Sequence, residues 1–313
     1  MTTAVTSSDV AVVIPVRNGA GAIAGCVEAV LAQEAPPAEV VVVDNGSDDG
    51  TGDIARAAGA RVVVEPRPGV YPARNTGIAV TSAPIVAFTD ADCLPEPQWL
   101  RLLVAPFAND GVVGAGGDIL PIEVRTAVHR WALERELFSQ RKNFEHGFLP
   151  CFATGNAAYR RSALDAVGGF DDTLISGGDV DLSWRIQQQT GGRLAYVPEA
   201  RVRHHLCDRL GPLLRQQRRY AGGHAVLDAK WESDPRYRAL IGTPAQRMRA
   251  VWLLPARVPY RLAARTGVAT PVIDAAVRTV QEIGRRQERD RAAEMSARTR
   301  RTQHQPAGEK QLS

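Results

Sequence analysis

The sequence is poor in cysteine, in long apolar runs and in repeats. Its four cysteines, Cys26, Cys93, Cys151 and Cys207, lie scattered among 313 residues with no C-x-x-C pair. That argues against a disulfide framework or a sequence-local zinc site, and it fits a reducing cytosol. No apolar run approaches the roughly 20 residues that a bilayer-spanning helix requires. The nearest stretch, residues 250–256, is short and contains Pro255. The opening MTTAVTSSDV lacks the charged-then-apolar pattern of a secretory signal, so a cytoplasmic location is expected. A strong charge bias is missing too. The net charge of +4 and pI near 9.0 suit anionic substrates, nucleic acid or anionic lipid, and select none of them. Much of the basic excess is local, at 201–219 and after Arg285.

What is present is an alternation of strands and helices. Apolar runs at 10–16, 40–43, 61–64 and 85–88 predict four strands. Helices are expected at 20–33, with Ile23, Val27, Val30 and Leu31 on one stripe, at 51–58, and ending near 77–81. Continuous apolar strands mean an α/β fold whose mostly parallel sheet is covered on both faces. The second half predicts a strand at 112–116, helices at 126–140, 163–167 and 180–188, and a strand at 194–197. Gly168-Gly169 ends the 163–167 helix. An amphipathic helix is expected over 271–286, with Thr270 as its cap, Pro271 at its first position and Ile273, Val277 and Val280 as its stripe. The charged tail, 288–313, is expected to lack regular structure.

Ligands of such sheets bind at the carboxyl ends of the strands. Asp44 and Asp90-Ala91-Asp92 fall there. Strand alternation sends Asp90 and Asp92 to one side, where like charges repel and burial raises the cost. Either water solvates them or a cation sits between them and something else. Gly19-Ala20-Gly21-Ala22-Ile23-Ala24 fits a dinucleotide fingerprint, with Asp44 about 20 residues on. Two features oppose that reading. Pro15 lacks the N–H that a central strand uses, and the fingerprint leaves the carboxylates at 90 and 92 without work.

A second reading uses all of these segments. Val13-Ile14-Pro15-Val16-Arg17-Asn18, the Val43–Thr51 stretch VDNGSDDGT, Ala73-Arg74-Asn75-Thr76-Gly77 and Asp90-Ala91-Asp92 resemble the nucleotide-binding half of family 2 glycosyltransferases. Thr154-Gly155-Asn156, Gly168-Gly169-Phe170-Asp171 and Gly178-Asp179-Val180-Asp181-Leu182 continue the resemblance in the family's order. It implies the GT-A fold over 8–225, with a nucleotide-sugar half (8–115) and an acceptor half (116–225). A helical extension (226–287) then precedes the tail. It also implies a hexosyl-type, inverting transfer from a nucleotide-sugar donor, assisted by Mg²⁺ or Mn²⁺. The acceptor would be a glycan, a lipid-linked molecule or a small molecule; nucleic acid is not expected as a partner.

The resemblance assigns roles residue by residue. Pro15, Val16 and Arg17 would frame the nucleotide, Asp44 would bond the base or ribose, and Arg74 would reach the diphosphate. Asp92 would ligate the metal directly, with Asp90 beside it toward the ribose. Asp179 would deprotonate the acceptor, with Asp181 as its rival and Arg185 as a partner for one of the two. Three positions depart from the family pattern: Asn45 for an acidic residue, Gly178 for glutamate, and Tyr220 for tryptophan in Gln216-Gln217-Arg218-Arg219-Tyr220. His204 or His205 is either a third metal ligand or part of a basic loop. Asp49 and Thr51 are read as a helix cap and first turn. Residues 247–265 mix arginines with apolar side chains and suggest peripheral membrane contact, although Pro255 and Pro259 interrupt the helix. Two other activities fit less of the chain: a nucleotidyltransferase, and an inactive nucleotide-binding domain of the same fold.

Overall fold

Val10–Val16 forms strand β1, and every one of its residues is buried. Such a strand needs cover on both faces. Val10, Val12, Ile14 and Val16 pack on one side with Ile23, Val27, Trp99, Leu100 and Leu103. Val13 packs on the other with Tyr71, Ile78, Leu164 and Leu182. The helices supplying these residues are α1 (Ile23–Leu31) and α4 (Trp99–Val104) on the first face. On the second they are α3 (Val70–Val80), α7 (Arg161–Val167) and α8 (Gly178–Thr190). The computed structural model describes residues 6–241 and 269–303. The 247–265 stretch therefore lies outside the described residues. Among those described, no helix is long and apolar enough to cross a membrane.

The remaining strands are β2 (Glu39–Asp44), β3 (Arg61–Val64), β4 (Ile85–Thr89), β5 (Cys93–Pro95), β6 (Val112–Pro121), β7 (Asn156–Arg160) and β8 (Arg193–His204). They form one sheet in the order β3-β2-β1-β4-β7-β6-β8-β5. Neighbours among β3, β2, β1 and β4 are parallel, as are β6 and β8. Strand β7 runs antiparallel to β4 and β6, and β5 antiparallel to β8. This is the mixed, mostly parallel sheet of a GT-A fold, flanked by helices. Pro15 does sit in a central strand, pairing with Val43 of β2. Pairing of β1 with β4 stops at Val13, so the proline lies where β1 is bonded on one side only.

Several elements depart from the sequence reading. Strand β4 ends at Thr89, and Ala91-Asp92 make a turn, so strand alternation does not govern the two carboxylates. The 126–140 helix is two, α5 (Ala127–Glu134) and α6 (Gln140–Phe144), separated where Glu136 takes a φ of 48°. A 22-residue helix, α9 (Leu210–Trp231), follows β8 and is followed in turn by α10 (Pro235–Ile241). Gly222-Gly223 lies inside α9. Here the pair lets α9 pack closely, because side chains there would meet Glu288 and Ser176. The last helix, α11 (Ala269–Gln303), encloses Thr270 rather than using it as a cap and runs well past Glu288. Its glutamate, arginine and alanine content favours helix, and Arg291 pairs with Glu288 at 3.3 Å. Ile273 and Val277 are buried as the stripe predicts, against Val128, Trp131 and Leu213.

Candidate active site

Strands β1, β2 and β4 deliver their carboxyl ends to one edge of the sheet, with α3 and α8 closing over it. Helix α3 is tied down by Asn75. Its side-chain amide donates to the Phe170 carbonyl at 2.9 Å, and its oxygen accepts from the Phe170 N–H at 2.8 Å. Two sequence motifs 95 residues apart thus meet. Asn156 does the same beneath the site. It is fully buried, accepts from the Trp99 indole at 2.7 Å, and donates to the Asp118 and Ala200 carbonyls.

On this base stand three groups of charges. Arg74, almost wholly buried, donates to Asp90 Oδ1 at 2.7 Å. Its guanidinium carbon lies 5.9 Å from the Tyr71 ring and 5.7 Å from the Phe170 ring. Its Nε is buried and has no partner, a donor held ready in a low-dielectric setting. Asp92 is half-exposed and sits 3.4 Å from His204 Nε2, whose Nδ1 is buried without a partner. Burial opposes ionisation of Asp92, but its bond to His204 outweighs this and lowers its pKa. One ligand atom each from Asp92, Cys93 and His204 lie within 4.8 Å of one another. Burial and the neighbouring carboxylates hold the Cys93 thiol protonated. A carboxylate and an imidazole remain as donors, a set able to hold a divalent cation. His205 contributes a backbone N–H to the Asp92 carbonyl at 3.1 Å.

The third group is at the start of α8. Among the described residues, the Asp179 carboxylate bonds its own helix alone, accepting from the Val180 N–H at 3.1 Å. Burial raises its pKa, with Arg74 pulling down and Asp90 pushing up. Its rival Asp181 is fully buried and saturated. It accepts from Arg185 at 2.6 Å, from the Trp231 indole at 3.0 Å and from Lys230 at 2.8 Å. Lys230 also holds Asp171 at 2.6 Å, so this carboxylate locks α8, α9 and the 168–171 loop together.

Beside Arg74 lies a cavity of about 230 Å³ lined by Pro15, Val16, Arg17, Asn45, Gly69, Val70 and Ala73. Asp44 is not in its lining; its Oδ1 accepts from the Ser47 N–H at 2.9 Å. Asp49 and Thr51 bind the loop after β1 more than they cap a helix. Ala20 N–H donates to Asp49 at 3.1 Å and Gly19 N–H to Thr51 at 2.9 Å, while Gly50 holds the cap position of α2 (Thr51–Ala57). Gly21 has open space around it and no left-handed backbone, so nothing at that position requires glycine.

The sequence profile described as glycosyl transferase family 2 matches residues 11–168. Glycosyltransferase AglE of Haloferax volcanii is 36% identical over 224 residues, spanning 68% of this chain and 72% of that one. The chain belongs to glycosyl transferase family 2. The pre-mycofactocin glycosyltransferase of Mycobacterium tuberculosis is 35% identical over 70% of this chain, which spans only 47% of that protein's length. Among solved structures, glucosyl-3-phosphoglycerate synthase of the same organism, in complex with Mn²⁺, uridine diphosphate and phosphoglyceric acid, superposes with a TM-score of 0.52. It shares 25% identity, covering 70% of this chain and 77% of that one.

Two of the places where this glycosyltransferase departs from its family pattern, Asn45 and Gly178, have local causes. Asn45 donates to the carbonyls of Glu65 at 2.9 Å and Arg67 at 2.7 Å, and accepts from Gly69 N–H at 2.8 Å. A carboxylate could not make the two donations. Gly178 faces Tyr71. A Cβ there would lie 2.7 Å from the ring, and the Gly178 N–H donates to the Tyr71 hydroxyl at 2.8 Å. Tyr71 therefore occupies the space that a residue-178 side chain would need. Tyr220 is half-buried with its pKa pushed up to about 12, by burial first, with Asp179 and Asp90 adding to the rise. The sequence reading passed over Tyr71, whose only signal is an aromatic residue three positions before Arg74.

Proposed function

We propose that this family 2 glycosyltransferase moves a hexosyl unit from a nucleoside-diphosphate sugar to an acceptor hydroxyl with inversion, Asp179 acting as base. The observation that carries the reading is the contrast between two nearby carboxylates. Asp181 is spent on three partners, whereas among the described residues no cation is bonded to Asp179, whose pKa is raised. A base needs an accessible oxygen and a proton affinity above that of an ordinary aspartate. As the acceptor oxygen attacks the anomeric carbon, its proton passes to Asp179. The bond from that carbon to the diphosphate oxygen breaks, and the electron pair leaves with the diphosphate.

Negative charge then grows on the leaving group. Arg74 would meet it with a buried guanidinium whose Nε is unpartnered. Asp92 and His204 would hold the divalent cation, with Asp90 beside them. When bound, the cation supplies Lewis-acid neutralisation of the diphosphate. The glucosyl-3-phosphoglycerate synthase structure, which contains Mn²⁺ and uridine diphosphate, supports this assignment. Pro15, Val16 and Arg17 would frame the nucleotide in the 230 Å³ cavity, with Asp44 at its edge.

In this reading residues 8–225 form the catalytic unit and the helices after it buttress the acceptor half. The reading also places the enzyme in the cytoplasm, with peripheral contact at the membrane; liposome flotation tests that contact. The transfer is tested by proton NMR of the product's anomeric signal with an α-linked donor. A β-linked product and loss of turnover in Asp179→Asn are expected. An α-linked product would refute inversion.

A further inference from the structure

A second cavity, of about 470 Å³, lies between the end of β6, the α5–α6 connection and β8. It falls within the size range of small-molecule sites. Its walls are largely apolar: Ile119, Leu120, Leu133, Leu137, Phe138 and Leu206. It shares walls with the charged edge of the sheet. The Phe138 ring centre is 5.0 Å from that of His204. Gly155 brings Ile119 close to Asp90, since a Cβ on the glycine would sit 3.1 Å from Asp90 Oδ2 and 3.4 Å from Ile119 Cδ1. The outer wall is fixed from behind. Leu137 and Leu206 pack on the cluster of Val128, Trp131, Leu213, Ile273 and Val277. The Trp131 indole donates to Asp274 of α11 at 2.8 Å. The cavity is thus preformed.

Its one cation is already paired. Arg141, the one cation among the described lining residues, lies 3.6 Å from Glu136, which also takes Lys142 at 2.7 Å. The Asp118 carboxylate accepts from the Tyr196 hydroxyl. Among the described residues, no unpaired cation lines the cavity to meet an anionic ligand. Water against half-buried leucine, isoleucine and phenylalanine walls forms few hydrogen bonds, and apolar surface displaces it favourably.

We infer that this cavity is the acceptor site and that it takes the apolar body of the acceptor. That body is an uncharged hydrocarbon or aromatic group attached to the part bearing the reacting hydroxyl. The inference rests on the glycosyl-transfer reading of the neighbouring carboxylates. It sets this chain apart from an enzyme whose acceptor is a phosphorylated acid.

The test is calorimetric titration of the full chain, preloaded with UDP and Mn²⁺. The probes are n-octyl, phenyl and methyl β-D-glucopyranoside and 3-phosphoglycerate, all below micelle-forming concentrations. Binding of the octyl or phenyl glucoside about tenfold tighter than the methyl glucoside is expected, from burial of one apolar group. Whichever of the two is tighter tells hydrocarbon from aromatic. In Leu133→Glu, which alters an exposed part of the wall, and in Leu137→Asp, that preference should vanish while UDP–Mn²⁺ affinity stays the same. Equal binding of the three glucosides would overturn the inference, as would 3-phosphoglycerate binding tightest or an unchanged preference in Leu133→Glu. Failure of UDP–Mn²⁺ to bind the wild-type chain would strike the donor-site reading instead, so the two failures are distinguishable.

Discussion

Replacing Gly178 with alanine should destabilise the protein through one identifiable contact. The new Cβ would lie 2.7–2.9 Å from three atoms of the Tyr71 ring. That ring is only 4% exposed and stacks on Phe170, with ring centres 5.6 Å apart, so it has little room to yield. Overpacking of this kind costs about 1–3 kcal/mol. Each kcal/mol lowers the melting temperature by roughly 2–4 °C in a domain of this size. The hydrogen bond from Gly178 N–H to Tyr71 would also be strained. The assay is reversible urea unfolding of four chains: wild type, Gly178→Ala, Tyr71→Leu and the double variant. Leucine at 71 removes the ring atoms that clash. In that background Gly178→Ala should cost less than about 0.5 kcal/mol, so the two changes should couple by about 1 kcal/mol or more. An equal cost in both backgrounds would refute the argument, because the penalty would then come from somewhere other than Tyr71.

Three further outcomes follow from the same geometry. Asp179→Asn should abolish turnover while leaving UDP–Mn²⁺ affinity intact; in the wild type, the acid limb of the rate profile should lie above the ordinary aspartate value of 3.8, because burial raises this carboxyl. Asp181→Ala should cost about 3–5 kcal/mol in urea unfolding, since it strands Arg185 and Lys230 beside a buried indole. Glu65 is held at about 2, below its ordinary 4.5, chiefly by hydrogen bonds from Arg67 and Thr76. Its stabilising contribution is therefore fully present above about pH 4.5 and is lost as pH falls through 2. Glu65→Gln should be less stable than wild type at pH 7 and nearly equal to it near pH 2.

The donor half of the fold was legible because β1, β2 and β4 carry short, buried apolar runs ending at turn or acidic residues, while β3 is a partly exposed edge strand. Alternating with helices, such runs point to a parallel sheet covered on both faces. The acceptor half was harder to read. Strand β7, Asn156–Arg160, is a five-residue stretch without a turn signal of its own, and its place between β4 and β6 is set by tertiary pairing. Helix α9 was hidden by Gly222-Gly223, residues of poor helix propensity; Gly222 lies against Glu288 of α11 and Gly223 against Ser176. In the site, Asp90, Asp92, Arg74 and Asp179 could be picked out by motif. Asp179 was preferred to Asp181 on the motif alone; the saturation of Asp181 could not be read, because it depends on Lys230 and Trp231, about 50 residues away in sequence. His204 could not be separated from His205 either. Only the antiparallel register of β5 with β8, which pairs Cys93 with His204, puts one of them against Asp92.

The most direct test of the account is calorimetric binding of UDP, dTDP and GDP to the full chain, each with Mn²⁺ and with EDTA, repeated on Asp92→Ala. One diphosphate should bind only when Mn²⁺ is present, and Asp92→Ala should abolish that binding. Equal affinity in EDTA, or undiminished binding by Asp92→Ala, would contradict a metal-assisted donor site built on Asp92.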